Sequence, residues 1–354
     1  MNQRSNAVDI AKFLFALGII GSHLYFYLFP QETSWLTELV FRSFMRVTPT
    51  FFTITSYYFL FRRMRQVNCK ISDQESGKMI SGYLVRIIGM YAIWSAPYLL
   101  ISTVNLFRNG LIETIMPTLI WQFLYSGTFY HMWFFTAVIW GIVLFWFLAR
   151  KLPMKVLAII ACVLWAIGVL IGEFPNAFQN VRVLGDFINV YTFIFQTPNN
   201  GLFYGLPLAV LTYHMANREE SSSTGRLCLL AMAFLALYLV EATVTYRHGW
   251  TQETGSNIAF FMLPAGYFIT RLLLRIHVPF KKANLWMRKC SILLYTLHPL
   301  LIVFLIKLSR IDAFSALHTS VIFIVVTISV SLLASFLIVW LSRFRTFKWM
   351  SILY

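Results

Sequence analysis

The 354-residue sequence predicts an all-α integral membrane protein of about ten transmembrane helices, with both termini cytoplasmic. Three observations carry that prediction. Hydrophobic side chains make up 59% of the chain and charged ones only 12%, about half the ~25% charge of soluble domains. Long apolar stretches recur with charged residues between them. The basic residues are also distributed unevenly among the gaps. A soluble enzyme, a disordered tail protein and a disulfide scaffold are excluded on composition alone. A net charge of +16 superficially suggests nucleic-acid binding, but cytoplasmic loops of membrane proteins collect Lys and Arg. No nucleic-acid partner is therefore expected.

Taken in order, the apolar stretches place spans at 10–29, 43–61, 84–104, 131–149, 155–172, 199–216, 226–246, 257–274, 289–309 and 318–341. Each is a continuous run long enough to cross ~30 Å of hydrocarbon at ~1.5 Å per helical residue. Continuous runs, unlike ~10-residue alternations, also exclude a closed β-barrel. With the N-terminus inside, 21 basic residues fall in inner segments and 7 in outer ones, with Lys12 embedded in the first span. That asymmetry sets the orientation.

The chain reads as one polytopic domain over 1–354, a multi-pass protein of the cell membrane. Lys12 and His23 interrupt the first apolar stretch, and no small-residue cleavage site follows it, so it is read as a span and not a leader. Two larger outer connections, 105–130 and 173–198, carry Trp121, Gln122, Tyr125, Asn176, Gln179 and Asn180. They either cap an outward-facing cavity or lie at the interface as an aromatic belt. Cys69, Cys162, Cys228 and Cys290 lie in inner segments or mid-span and show no CxxC spacing, so neither a disulfide nor a metal site is expected.

An ionisable group inside a span is costly and marks a candidate functional site. Lys12 and His23 lie on nearly one face of the first span, about three turns and ~16 Å apart. A cation near the inner surface and a proton-transfer group in the outer half suit a long substrate with an anionic head and a reactive tail. The competing reading has Lys12 snorkelling to headgroups and His23 capping a carbonyl. Glu241 reaches roughly the height of His23 and would orient it as a carboxylate partner. Equally, Glu241 would pair with Arg46, which opens the second span. His131 and Trp133 open the fourth span on the outer side, as substrate-facing or interfacial residues. In the ninth span Ser291, Tyr295 and His298 share one helix face, and Pro299 frees the carbonyl of Tyr295. That face reads as the lining of a polar path. Arg62, Arg63 and Arg86 stand near the inner surface as phosphate ligands or as topogenic charge.

The residues then match a known pattern. Val8-Asp9-Ile10-Ala11-Lys12-Phe13, followed ten residues on by His23, resembles the Arg/Lys-x10-His motif of the membrane acyltransferase 3 family. Arg46-Val47-Thr48-Pro49-Thr50-Phe51-Phe52, Arg86-Ile87-Ile88-Gly89-Met90-Tyr91, His131-Met132-Trp133-Phe134-Phe135 and the Ser291 to Pro299 segment resemble its later landmarks, in order along nearly the whole chain. The third-span pair of basic residues is half kept, with Arg86 present and Gly82 in the earlier place. The resemblance implies an O-acyltransferase that takes an acyl group, in the expected case acetyl, from cytoplasmic acyl-CoA. The acceptor would be a hydroxyl of an envelope glycan or a lipid-linked sugar. It implies His23 as catalytic residue. Acetyl-CoA would be held by Lys12, Arg86, Ser291, Tyr295 and His298, with Arg46, His131 and Trp133 towards the acceptor and Glu241 beside His23. The lysine at position 12 is also similar to the membrane domain of vancomycin-resistance serine racemases. A transporter or flippase for a serine-like amino acid or a lipid-linked glycan is therefore the alternative.

Overall fold

The computed structural model describes residues 5–28, 39–219, 222–251, 257–311 and 320–354. Arg4, the Arg42 side chain, and residues 29, 318 and 319 at the ends of predicted spans lie outside the described residues. Among the described residues the regular structure is entirely helical, and a helix stands at each predicted position. The helices are α1 (Asn6–Leu28), α2 (Val47–Gln66), α3 (Gln74–Arg108), α4 (Ile115–Trp121), α5 (Trp133–Ala149) and α6 (Met154–Glu173). They continue with α7 (Arg182–Phe195), α8 (Leu206–Asn217), α9 (Thr224–Arg247), α10 (Met262–Arg275), α11 (Lys282–Leu308) and α12 (Ser320–Leu341).

Six of these, α1, α3, α6, α9, α11 and α12, combine the length and apolarity of a membrane crossing, and α5 is a shorter apolar helix of 17 residues. Six of the ten predicted crossings thus meet helix length and composition by themselves among the described residues, and the other four do not. The physical reason is local. Helix α2 is long enough but carries Thr, Ser, Tyr and three Arg, while α8 and α10 have only 12 and 14 residues. In the opposite direction, α3 has 35 residues, ~52 Å at ~1.5 Å each, well beyond the hydrocarbon thickness. Hydropathy detects only its apolar part. Its polar start is set at Asp73, whose carboxylate accepts the backbone N–H of Lys70 at 2.7 Å.

The chain forms two compact units, one of Met1–Thr48 with Leu273–Tyr354 and one of Pro49–Leu272. In the first unit α11 packs against α1 and α12, which also touch each other. Asn6 Nδ2 donates to the Val278 carbonyl at 2.8 Å, fixing the foot of α1 beside the approach to α11. Arg343 lies over the Trp286 ring at 4.3 Å, and Ser342 and Lys289 both reach the Tyr354 hydroxyl.

The second unit is bonded through tyrosines, of which Tyr57, Tyr91 and Tyr204 are buried. Tyr57 donates to the Val138 carbonyl at 2.8 Å, Tyr83 bonds Ser56 at 2.8 Å, Tyr204 bonds Thr50 at 3.2 Å, and Tyr91 donates to the Phe123 carbonyl at 2.8 Å. Such rings bring apolar bulk and one polar handle, which lipid cannot satisfy. Asn200 joins the connections 105–130 and 173–198 by donating to Tyr125 at 2.9 Å and Tyr191 at 2.7 Å. Its carbonyl oxygen accepts from Leu202 and Phe203 and starts the π-helical turn Gly201–Gly205. That turn lies against α5 at Gly141: a Cβ on Gly205 would sit 2.1 Å from the Ala137 carbonyl oxygen, and one on Gly141 2.5 Å from Gly205 Cα. Helix approach through small residues is the membrane solution to packing without a hydrophobic driving force.

Gly205→Val is expected to destabilise the protein by about 1–3 kcal/mol through overpacking, read as a lower thermal midpoint in detergent. Gly82→Ala, with nothing within 4 Å of the added carbon, is expected to leave the midpoint unchanged.

Candidate functional site

The first unit gathers most of the predicted site residues. Helix α1 follows directly on Ser5, whose hydroxyl accepts the Val8 N–H at 3.4 Å. The apolar run after it carries Lys12 and His23 on nearly one face, ~16 Å apart. Asn6 bonds the Val278 carbonyl just before α11 and Ser5 the Leu273 carbonyl near the end of α10, while 17 residues along α1 His23 meets the α11 residue His298. The two helices therefore run parallel at almost constant register, so Lys12 and His23 follow the same direction as Ser291, Tyr295 and His298.

The imidazoles of His23 and His298 stack with centroids 5.3 Å apart and planes 17° from parallel. His298 is fully buried, and its Nδ1 lies 2.7 Å from the Leu294 carbonyl oxygen. A carbonyl accepts only, so Nδ1 carries the proton and Nε2 is the basic nitrogen of the neutral ring. Pro299 has no N–H to give Tyr295, as a helix otherwise would, and the freed Tyr295 carbonyl also bonds the His298 ring. Pro299 thus contributes a polar anchor, and α11 continues unbroken through it. Tyr295 stands edge-on to His298 at 6.4 Å, and Ser291 is turned back on its own helix, donating to the Arg288 carbonyl at 2.8 Å. Ser291 thus has a local helical partner.

The segment 39–46 lies along the second half of α1 because Gly18 and Gly21 admit it. A Cβ on Gly18 would come within 2.3 Å of the Met45 sulfur, and one on Gly21 within 2.6 Å of the Phe41 ring. Ser22 donates to the Phe41 carbonyl at 2.7 Å, and Tyr25 stacks on Phe41 at 6.0 Å. This seating brings Arg46 close enough for its charge to act on His23. The sequence offered Glu241 as a partner for either His23 or Arg46, and it did not single out the glycine seat or the histidine pair. The signal for the pair was present in two polar faces that each end in a histidine.

The remaining predicted residues belong to the second unit. Arg86 is exposed on α3, four residues after the open position of Gly82. His131 is buried among the rings of Tyr98, Phe129 and Tyr130, edge-on to Tyr98 at 5.0 Å. Trp133 stands edge-on to Tyr204 at 5.3 Å. Glu241 accepts the backbone N–H groups of Phe260 at 2.8 Å and Phe261 at 2.9 Å. Both its oxygens therefore satisfy the donors that precede α10, a structural duty that spacing alone did not show. Among the described residues no cluster of three metal-ligating side chains occurs.

A multi-pass helical membrane protein with a stacked histidine pair is the class that this architecture defines. The chain matches the acyltransferase domain family, the acyltransferase 3 group, over residues 5–340, and it belongs to that family. An amino-acid racemase of Enterococcus faecalis is 27% identical over 88% of this chain and 43% of its own length. A serine/alanine racemase of Enterococcus gallinarum is 24% identical over 84% of this chain and 40% of its own length. The chain thus spans about two fifths of the curated relatives it matches. No solved structure matches it.

Nitrogen-15 NMR of histidine-labelled protein is expected to show His298 as the Nδ1–H tautomer. A neutral His298 protonated at Nε2 contradicts the Leu294 bond.

Proposed function

We propose that this chain is a membrane O-acyltransferase that moves an acyl group, in the simplest case acetyl, from cytoplasmic acyl-CoA to a hydroxyl of an envelope glycan or lipid-linked sugar. The supporting observation is the stacked His23–His298 pair at the far end of a polar face that begins at Lys12. Family membership supplies the reaction class, and the positive-inside charge asymmetry supports ten crossings in the cytoplasmic membrane with both termini inside.

In this reading Lys12 holds a phosphate of the donor, and the pantetheine arm follows the face of Tyr295 and His298. The thioester stands near His23, ~16 Å from Lys12. As the acceptor oxygen attacks the thioester carbonyl, His23 takes the hydroxyl proton. The tetrahedral intermediate collapses with cleavage of the C–S bond, and the proton passes to the leaving thiolate to give the ester and free CoA. Arg46 provides positive charge beside the developing oxyanion. The Leu294 and Tyr295 carbonyls orient His298, whose stacked ring fixes the plane of His23. His23 as transient acyl carrier satisfies the same balance.

The experiment is transfer of labelled acetyl from acetyl-CoA by purified protein in proteoliposomes containing the candidate acceptor. His23→Ala is expected to lower transfer by about 10²–10⁴-fold, the usual range for a general base, with the fold retained by thermal midpoint. Unaltered transfer in that variant rejects the mechanism. Lys12→Ala is expected to raise KM for acetyl-CoA about tenfold with kcat little changed, as for a lost charge-assisted contact of ~1.5 kcal/mol, and Lys12→Arg to restore most of it.

The names of the racemase relatives favour one second reading, transport of a serine-like amino acid with Lys12 on its carboxylate. Labelled serine uptake into proteoliposomes, together with no stabilisation by millimolar acetyl-CoA, supports that reading and rejects the transferase.

A further inference from the structure

A cavity of about 490 Å³ opens in the second unit, at the end of α6, α8 and α10 where the sequence concentrates basic residues. Its rim carries Lys155, the second residue of α6, with His214 of the last turn of α8 and Arg218 immediately after it. Tyr267 of α10 forms the back wall. The Arg271 guanidinium lies over the Tyr267 ring, 5.2 Å from its centroid, and donates to its hydroxyl at 2.7 Å. A third cation, after Lys155 and Arg218, thus stands beside the wall, and among the described residues no carboxylate lines the cavity.

The rim is held in place by bonds that do not use its own side chains. Arg65 Nη1 donates to the carbonyls of Ala216 at 3.1 Å and Arg218 at 3.2 Å, closing the C-terminal end of α8. The neighbouring carboxylate, Glu219, is 3.6 Å from the other terminal nitrogen of Arg65 and so engages a cation outside the cavity. Below the rim the lining becomes apolar with Ile159 and Leu211. Ile159 is 66% exposed, and with exposed Val156 and Val163 it forms one stripe up α6. The three lie within ~60° around the helix.

From this we propose that the cavity binds an anionic phospholipid, with its phosphodiester among Lys155, His214 and Arg218 and one acyl chain along Val156, Ile159 and Val163. Charge complementarity selects an anion, since Lys155 and Arg218, with His214 between them as a donor, attract acidic headgroups over zwitterionic ones. The continuous aliphatic stripe selects a lipid over a soluble phosphate compound. A coenzyme or nucleotide needs a closed wall for its base, whereas this lining leads out onto the exposed side of α6. The site is independent of the acyl-transfer reading, and its bound lipid would seat α6 and α8 in one leaflet.

The test is native mass spectrometry of the full chain titrated with dioleoylphosphatidylglycerol or dioleoylphosphatidylcholine. The protein is expected to retain one phosphatidylglycerol at least tenfold more tightly than phosphatidylcholine. K155E/R218E removes that preference, and K155Q/R218Q weakens it by a smaller factor at unchanged thermal midpoint. Phosphatidylcholine retention stays the same in all three proteins. Equal retention of the two lipids by the parent protein overturns the proposal, as does an undiminished preference in both double variants. Displacement of phosphatidylglycerol by millimolar coenzyme A or inorganic phosphate overturns it in favour of a soluble phosphate ligand.

Discussion

The parallel packing of α1 on α11 is the interaction on which the candidate chemistry depends. It converts two separate sequence patterns, Lys12 to His23 and Ser291 to His298, into one polar face with a histidine pair at its end. The register is set at the foot, where Asn6 bonds the Val278 carbonyl, and at the top by the 5.3 Å ring stack. Three local devices then fix the pair. Gly18 and Gly21 leave room for the 39–46 segment that carries Arg46, the Leu294 carbonyl selects the His298 tautomer, and Pro299 frees a second carbonyl for the same ring.

Elsewhere the bilayer imposes the opposite rule, because hydrocarbon offers no partner to a polar atom. The tyrosine bonds of the second unit, the Asn200 junction and the carboxylate of Glu241 over the Phe260 and Phe261 donors all obey it. A polar group bonded in this way holds the helices together and offers little for chemistry. This separates Glu241, with both oxygens engaged by backbone, from His23, which faces another titratable ring.

Much of the fold was legible because hydropathy and charge asymmetry are strong signals. A helix appears at every predicted position, including α11 through its proline. The number of self-sufficient crossings was less legible. Helices α8 and α10 are short, and their predicted spans borrow the residues that precede each helix. The site was half legible. His23, Lys12 and the Ser291–His298 face stand out as polar groups in apolar runs, whereas pairing across helices needs a register that a single sequence does not contain. Glu241 illustrates the gap, since depth alone suggested His23 or Arg46 as its partner, whereas its bonds to the donors before α10 needed the structure.

The central claim is that His23 and His298 act as one unit. A double-mutant cycle on acetyl transfer, comparing His23→Ala, His298→Ala and the double variant, tests it most directly. The account predicts that the double variant is about as slow as His23→Ala alone, because removing the first histidine already abolishes what the second supports. Losses that multiply across the two single variants would show two independent roles and contradict it.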